Sequence, residues 1–338
     1  MTDRAIDFIR RADGERWCLH LSYIKPHWPY VASDPYHALY AGEQMPQPNR
    51  TERELETTHP VLRALQQSRI GRAMSKDEAR QLVMPTYLGM VTQIDNHLGR
   101  LFSELERLGR VDDTLIVFTS DHGEYMGDHW MGEKDWLHEE VVRVPMIIVD
   151  PRSSADSTRG STSNQLVEAI DILPTFVEAL GGENQSRSQW LEGQSLLPLL
   201  SGETKSQRDY VVSEADWGFL EMSNHIQDSG NSRQRRATMI RTDRFKYVLS
   251  EVGPNLLYDL DEDPEEQFDR HNDSGCASVV EDLHEQLFGW FRNRRHDTTV
   301  SEEMIMATSE PGNTAKRGIP IGYWDENELE AGIQGKLY

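Results

Sequence analysis

The sequence predicts an α/β protein: a three-layer α/β/α sandwich on a mostly parallel central sheet, followed by a smaller C-terminal α+β subdomain with an antiparallel sheet. Three observations predict it. The short apolar runs WCLHLSYI (17–24), TLIVFTS (114–120) and VPMIIVD (144–150) read as strands, the last two continuous enough to be buried on both faces. Helical stretches lie between them, and strands alternating with helices build a largely parallel sheet covered on both sides. Beyond Gly202 the pattern changes to short runs bounded by turn signals.

Along the chain, MTDRAIDFIRRADGERW is charged and helical in pattern. It lacks the apolar centre and small-residue cleavage site of a signal peptide, so a cytoplasmic location is expected. The first strand stops at Lys25-Pro26, because proline removes a ladder donor. Within that strand, Cys18 and His20 are expected in the core. From Thr86 to Gly109 the residues Leu88, Val91, Ile94, Leu98, Leu101, Leu105 and Leu108 recur at spacings of three and four, forming one stripe of a long helix that Gly109 ends. Asp112-Asp113 turns the chain into the second strand.

After the third strand comes a polar loop, 152–164. A helix follows, with Asp171 as its cap, Pro174 in its first turn and Gly181-Gly182 beyond its end. A polar, arginine-rich loop (221–236) precedes RRATMIRTDRFKYVLS and NLLYDLDEDPEE, which read as antiparallel strands. VVEDLHEQLFGWFRNRR is an amphipathic helix. The expected domains are 1–205, an α/β domain with the chemistry; 206–300, the α+β subdomain; and 301–338, a tail that wraps a neighbouring subunit or lies along its own domain.

The formal net charge of −22 argues against a nucleic-acid backbone as the main partner, since that contact needs clustered Lys and Arg. No apolar run approaches the roughly 20 residues that span a bilayer, so no membrane is expected. The two cysteines, Cys18 and Cys276, have no C-x-x-C spacing and suggest neither a disulfide framework nor a thiolate metal site; both are expected to be buried.

The densest chemistry is IVFTSDHGEYMGDHWMGEKDWLHEE (116–140). Asp121 and His122 directly follow a strand, and ligands of open α/β sheets bind beyond the carboxyl ends of strands. A carboxylate beside an imidazole suits a divalent ion; the alternative is a capping Asp with a solvent-facing His. Lys134 either neutralises charge on a phosphoryl or sulfuryl oxygen or is a surface lysine. His27, in KPHWPY, is a general acid or oxyanion donor on a stiff loop, or is stacked on Trp28 or Tyr30. His129 and His138, with Asp128 and Asp135, lie near enough in sequence to add a ligand or to hydrogen-bond the ligands from behind.

The segments TLIVFTSDHGE, GDHWMGEK and EEVVRVPMIIVDP resemble the metal and lysine region of the sulfatase and phosphonate monoester hydrolase branch of the alkaline phosphatase superfamily. LHLSYIKPHWPYVASDPYHALY resembles its histidine loop, and VEAIDILPTFVEALGG and MIRTDRFKYVLSEVGPNLLYDLDEDPEEQFD its later helix and C-terminal hairpins. The resemblance implies that Asp121 and His122 are metal ligands. It implies that Lys134 contacts the transferred group and that His27 assists the leaving group or binds a non-bridging oxygen.

One departure stands out. The family's paired aspartates and its C-x-P-x-R or S-x-P-x-R segment, whose first residue is the nucleophile, have no counterpart among these residues. The chain reads as the family's middle and C-terminal portion. The expected function is therefore a metal-dependent hydrolase of phosphotriesters, phosphodiesters or phosphonate monoesters, using a divalent ion (Zn, Mn or Ca) and an activated water in place of the covalent nucleophile. The alternatives are an inactive binding protein or a chain that needs a separate polypeptide for the nucleophile. Its substrate would be a small anionic or neutral ester. A sheet edge left uncovered would favour a homo-oligomer, a dimer or a tetramer.

Overall fold

The structure, a computed structural model, describes residues 1–12, 14–56, 59–182, 191–204, 208–217 and 236–294. In chain order the elements are α1 (Thr2–Arg11), α2 (Pro60–Gln67), α3 (Arg69–Met74), α4 (Asp77–Arg107), β1 (Ile116–Thr119), α5 (Glu139–Val142), β2 (Met146–Val149), α6 (Ile172–Ala179) and α7 (Leu197–Leu200). These are followed by β3 (Val211–Asp216), β4 (Arg236–Arg241), β5 (Phe245–Ser250), β6 (Leu256–Asp259) and α8 (Ala277–Asn293). The chain is mixed α/β, as the sequence predicts. Its described residues divide into two compact units, one built from Met1–Gln47 with Lys76–Thr114, the other from Pro48–Ser75 with the described residues between Leu115 and Arg294. The boundary expected at 205 falls on a residue outside the described ones, as do the arginine-rich loop at 221–235 and the tail at 301–338.

In the first unit α1 packs on α4 through Ala5, Ile6 and Ile9. Arg10 grips the Glu104 carboxylate with two bonds of 2.8 and 3.0 Å, and Arg107 approaches the same group from one turn away. Together these guanidiniums hold the Glu104 carboxyl down at about 2. The long helix starts earlier than the apolar stripe suggests, with Asp77 and Glu78 favouring its positive end, and it runs through buried Pro85. Gly109, at φ +65°, ends it, and Arg110 N–H closes back on the Leu105 carbonyl at 2.9 Å. At Gly89 the Tyr36 carbonyl comes so near the helix that a Cβ would sit 2.1 Å from it.

The expected strand at 17–24 is extended but belongs to no ladder among the described residues. Its side chains still alternate. Trp17, Leu19, Leu21 and Tyr23 pack inward, with Trp17 edge-on to Phe8 and Tyr23 hydrogen-bonded to Thr2 at 2.8 Å. Cys18, His20, Ser22 and Ile24 face outward, so the core positions expected for Cys18 and His20 are corrected by the two-residue period itself. Cys276 is half-buried, also short of the expected burial.

In the second unit β1 and β2 form a two-stranded ribbon, and its pairing is antiparallel, with Ile116 opposite Val149 and Thr119 opposite Met146. The mostly parallel sheet is thus not seen among the described residues. Apolar periodicity reports burial and carries no information about strand direction. The pairing has a functional consequence: residues 120–145 leave and return at one end of the ribbon, gathered beyond the carboxyl end of β1. Ile147 and Val149 of β2 point outward.

The C-terminal strands form the expected antiparallel meander in the order β3-β4-β5-β6. One face, carrying Ala237, Met239, Val248, Leu256 and Tyr258, packs on α2 and on Tyr125, Met131, Trp136 and Leu137 of the 120–145 loop. The opposite face, with Ile240, Tyr247 and Leu257, packs on Leu283 and Leu287 of α8. Asp171 does not cap α6 with its side chain. Its carboxylate instead accepts from the backbone N–H groups of Glu168 and Gln194, each at 2.8 Å, and pairs with Arg208. No helix among the described residues is long and apolar enough to cross a membrane.

Candidate active site

Asp121 and His122 sit where β1 gives way to the loop. The Ser120 hydroxyl donates to the His122 carbonyl at 2.8 Å, and the His122 N–H donates to Asp121 Oδ1 at 3.1 Å, which fixes the two residues side by side. His122 Nδ1 lies 2.7 Å from the Gly123 carbonyl. A carbonyl only accepts, so Nδ1 carries the proton and the ring's lone pair is on Nε2. Nε2 is 3.6 Å from Asp121 Oδ2. Two donors bound to one ion at ~2.1 Å with a tetrahedral angle would be about 3.4 Å apart. The pair therefore fits as two ligands of a divalent ion. Among the described residues no third His, Cys, Asp or Glu completes a cluster.

Gly123 is where this pair meets the rest of the loop. Its N–H donates to the Val141 carbonyl at 2.7 Å, and a Cβ here would stand 1.9 Å from the Glu140 carbonyl oxygen. Glycine is needed for this close approach of two backbones rather than for a special φ. The loop then tightens through Met126, His129, Trp130 and Glu133, all at positive φ. Such backbone persists only where its surroundings hold it, and Asn49 is part of that hold. Its N–H donates to Asp128 at 2.8 Å and its carbonyl accepts from His129 N–H at 2.7 Å. Its side chain binds Glu140 at 2.7 Å and Gln267 at 2.6 Å.

Lys134 is half-buried in the same loop. Its neighbours report where its charge acts. Burial pushes the Glu133 carboxyl up to about 7, with Asp135 and Glu124 adding to the rise and Lys134 and Arg69 opposing it. Burial also raises Asp135, and there the opposing charges are those of Lys134 and His122. Asp135 thus lies within electrostatic reach of both the lysine and the candidate metal ligand.

His129 and His138 have other employment. Their rings stack at 3.9 Å, both buried. His129 Nδ1 meets Glu54 at 2.5 Å and Nε2 faces Glu140 at 3.4 Å. Burial alone would strip its proton, but the two carboxylates overcome that and hold the imidazolium up to about 10. A ring protonated on both nitrogens has no lone pair for a metal. His138 is kept neutral by burial and by the positive charges of His129 and Lys246, and pairs with the Tyr125 hydroxyl at 3.0 Å. Beneath them Lys246, fully buried, donates to the Leu137 carbonyl at 3.0 Å and forms ion pairs with Glu139 at 2.8 Å and Glu266 at 2.7 Å.

His27 belongs to the first unit. Its ring stacks on Trp28 with centroids 5.5 Å apart, and Nδ1 lies 2.6 Å from the Trp28 carbonyl. The stacked arrangement anticipated from KPHWPY is present, and Nδ1 is committed to its own loop. Sequence reading assigned no role to Asn49, Glu54, Lys246 or Glu266, which lie far along the chain from the loop they support, nor to Glu140, which ends the 116–140 stretch but shows nothing in sequence that ties it to His129.

Comparison with known proteins places these features. Residues 1–182 match the sulfatase family model, and residues 127–293 match the model of the C-terminal part of N-sulphoglucosamine sulphohydrolase. A multifunctional alkaline phosphatase superfamily protein, PehA, from Trinickia caryophylli is 34% identical over 86% of this chain and 58% of its own length. Two solved structures are similar to this one. The phosphonate monoester hydrolase of Agrobacterium radiobacter has a TM-score of 0.76 and 30% identity, and that of Silicibacter pomeroyi 0.77 and 28%. In each case the likeness covers 89% of this chain and 62% of the other. The chain therefore spans about three fifths of the length of these relatives.

Proposed function

The chain belongs to the sulfatase family, within the alkaline phosphatase superfamily, and from that membership we propose that it is a metal-dependent hydrolase of phosphodiesters, phosphotriesters or phosphonate monoesters. Asp121 and His122 would hold a divalent ion, Zn, Mn or Ca. One observation carries the reading: His122 Nε2 and Asp121 Oδ2 face one another at 3.6 Å while Nδ1 is tied to the Gly123 carbonyl. When bound there, such an ion supplies polarisation of an ester oxygen and acidification of water.

The side chains supply the rest. The Gly123 carbonyl keeps the His122 ring from turning. The Lys134 ammonium neutralises a non-bridging oxygen as charge builds in the transition state. His27 is the proposed general acid for the departing alkoxide, a role that requires its ring protonated on both nitrogens, since Nδ1 is already turned to the Trp28 carbonyl. In this reading water is the attacking group, and neither Cys18 nor Cys276 is assigned as a nucleophile, because neither is followed by the Pro and Arg of the family's nucleophile segment. Triesters, diesters and singly charged phosphonates suit attack by water better than dianionic monoesters, where like charges repel.

The three-fifths span of the relatives supports a second reading, in which residues outside these 338 supply a covalent nucleophile. Turnover separates the two. The purified chain, supplied with Mn2+ or Zn2+, is assayed on p-nitrophenyl esters of a phosphodiester, a phosphonate, a phosphotriester and sulfate. The expected result is metal-dependent release from the phosphorus esters, falling by about 100-fold or more in Asp121→Ala, as removal of an electrostatic support of a transition state does. Turnover indifferent to chelator and to that substitution would refute the metal reading, and an inert chain would favour the second.

A further inference from the structure

The segment 132–138, which carries Lys134, has no helix or strand to hold it. It is held by its carbonyls. Those of Glu133, Asp135 and Leu137 each accept from a donor elsewhere in the chain: Tyr125 N–H at 2.9 Å, the Trp217 indole N–H at 2.9 Å and Lys246 Nζ at 3.0 Å. The middle anchor comes from just beyond the end of β3. There Asp216 opposite Arg236 fixes the strand, and a 3.2 Å bond joins their side chains.

Trp217 is 1% exposed, and its ring lies parallel to that of Trp136 at 5.5 Å and 13°. A buried indole has one donor and no acceptor, so its N–H is spent on a single partner. That partner is the carbonyl immediately after Lys134. The lysine side chain is long and rich in rotamers, and its ammonium is a point charge with no geometry of its own. Where the charge falls is therefore set by how firmly the neighbouring backbone is fixed.

We propose that Trp217 is a positioning residue for Lys134, its indole N–H fixing the Asp135 carbonyl and thereby setting where the ammonium meets an oxygen of the substrate. This deepens the proposed function and rests on its assignment of Lys134 to the transferred group. Tyr125 contributes a backbone donor, and Lys246 sits in a buried charge cluster. Trp217 is thus the anchor that can be altered without disturbing either.

The test uses inorganic phosphate as probe, with binding to the Mn2+-supplemented chain followed by calorimetry. Four variants are compared: Lys134→Ala, Trp217→Phe, a chain with 3-benzothienylalanine at position 217, and the last combined with Lys134→Ala. The benzothienyl ring keeps the shape and the stack and lacks only the N–H, so it reports even if Trp217→Phe fails to fold. The expected result is phosphate binding about tenfold weaker in the benzothienyl chain, with Mn2+ affinity and melting temperature unchanged, and no further loss in the combined variant. If Lys134→Ala leaves phosphate binding intact, the assignment of Lys134 fails and this role with it. If Lys134→Ala weakens binding but the benzothienyl chain does not, or if the two losses add, the positioning role alone is overturned.

Discussion

Lys246→Met is expected to lower the stability of the fold by about 3–5 kcal/mol, the usual cost of removing one partner from a buried ion pair. Lys246 has no exposed surface, and its ammonium is divided between the Glu139 and Glu266 carboxylates. Methionine fills the space of the stem but removes the cation paired with Glu266 in the interior, and leaves Glu139, among the described residues, its ion pair with Arg241 at 3.2 Å. It also leaves the Leu137 carbonyl without its donor. Denaturant unfolding measures the loss. The double variant Lys246→Met with Glu266→Gln should recover part of it, because the charge left behind is then gone. A loss below about 1 kcal/mol, typical of an exposed pair, would show that water reaches this cluster.

His129→Gln is expected to cost a similar amount, about 3–5 kcal/mol near neutrality, and its cost should depend on pH. The imidazolium sits between Glu54 and Glu140 with 1% exposure, and the carboxylates hold it up to about 10 against an ordinary value of 6.5. A group whose pKa is raised by folding contributes its full stabilisation below its unfolded value and loses it as pH climbs through the folded one. The wild-type chain should therefore lose stability relative to His129→Gln from about pH 6.5 up to about pH 10, whatever slope the other groups give both proteins. Unfolding midpoints measured at intervals of pH give the comparison. Parallel curves for the two proteins would mean that His129 is neutral in the fold.

Both predictions concern residues behind the candidate site, and this is where sequence reading was blind. β1, β2, the end of α4, the meander and α8 were legible because each is written in a local apolar period. Asp121 and His122 were legible because they directly follow a strand. Lys246, in RFKYVLS, looks like an ordinary lysine in a half-exposed strand. Its burial depends on Glu139 and Glu266, which approach from α5 and from the turn after β6. His129 and His138 stood near Asp121 in sequence and were natural candidates for the metal. What decides their roles is Glu54, brought in by the segment before α2. The direction of pairing between β1 and β2 was equally invisible, since alternation specifies a face and not a neighbour.

The outcome is a division of labour. The loop from Asp121 to Glu140 carries the exposed chemistry, and two buried ionic clusters with Asn49 hold its left-handed turns in place. The loop is long and irregular, so precision has to come from these supports.

Binding of Mn2+ tests the central assignment most directly. Titration followed by electron paramagnetic resonance gives the affinity, and nitrogen modulation of the bound ion's signal reports an imidazole ligand. The expected result is one bound ion with a nitrogen signal that vanishes in His122→Ala, and a clear loss of affinity in both His122→Ala and Asp121→Ala. An ion bound with unchanged affinity and an unchanged nitrogen signal in both variants would place the metal elsewhere and contradict the account.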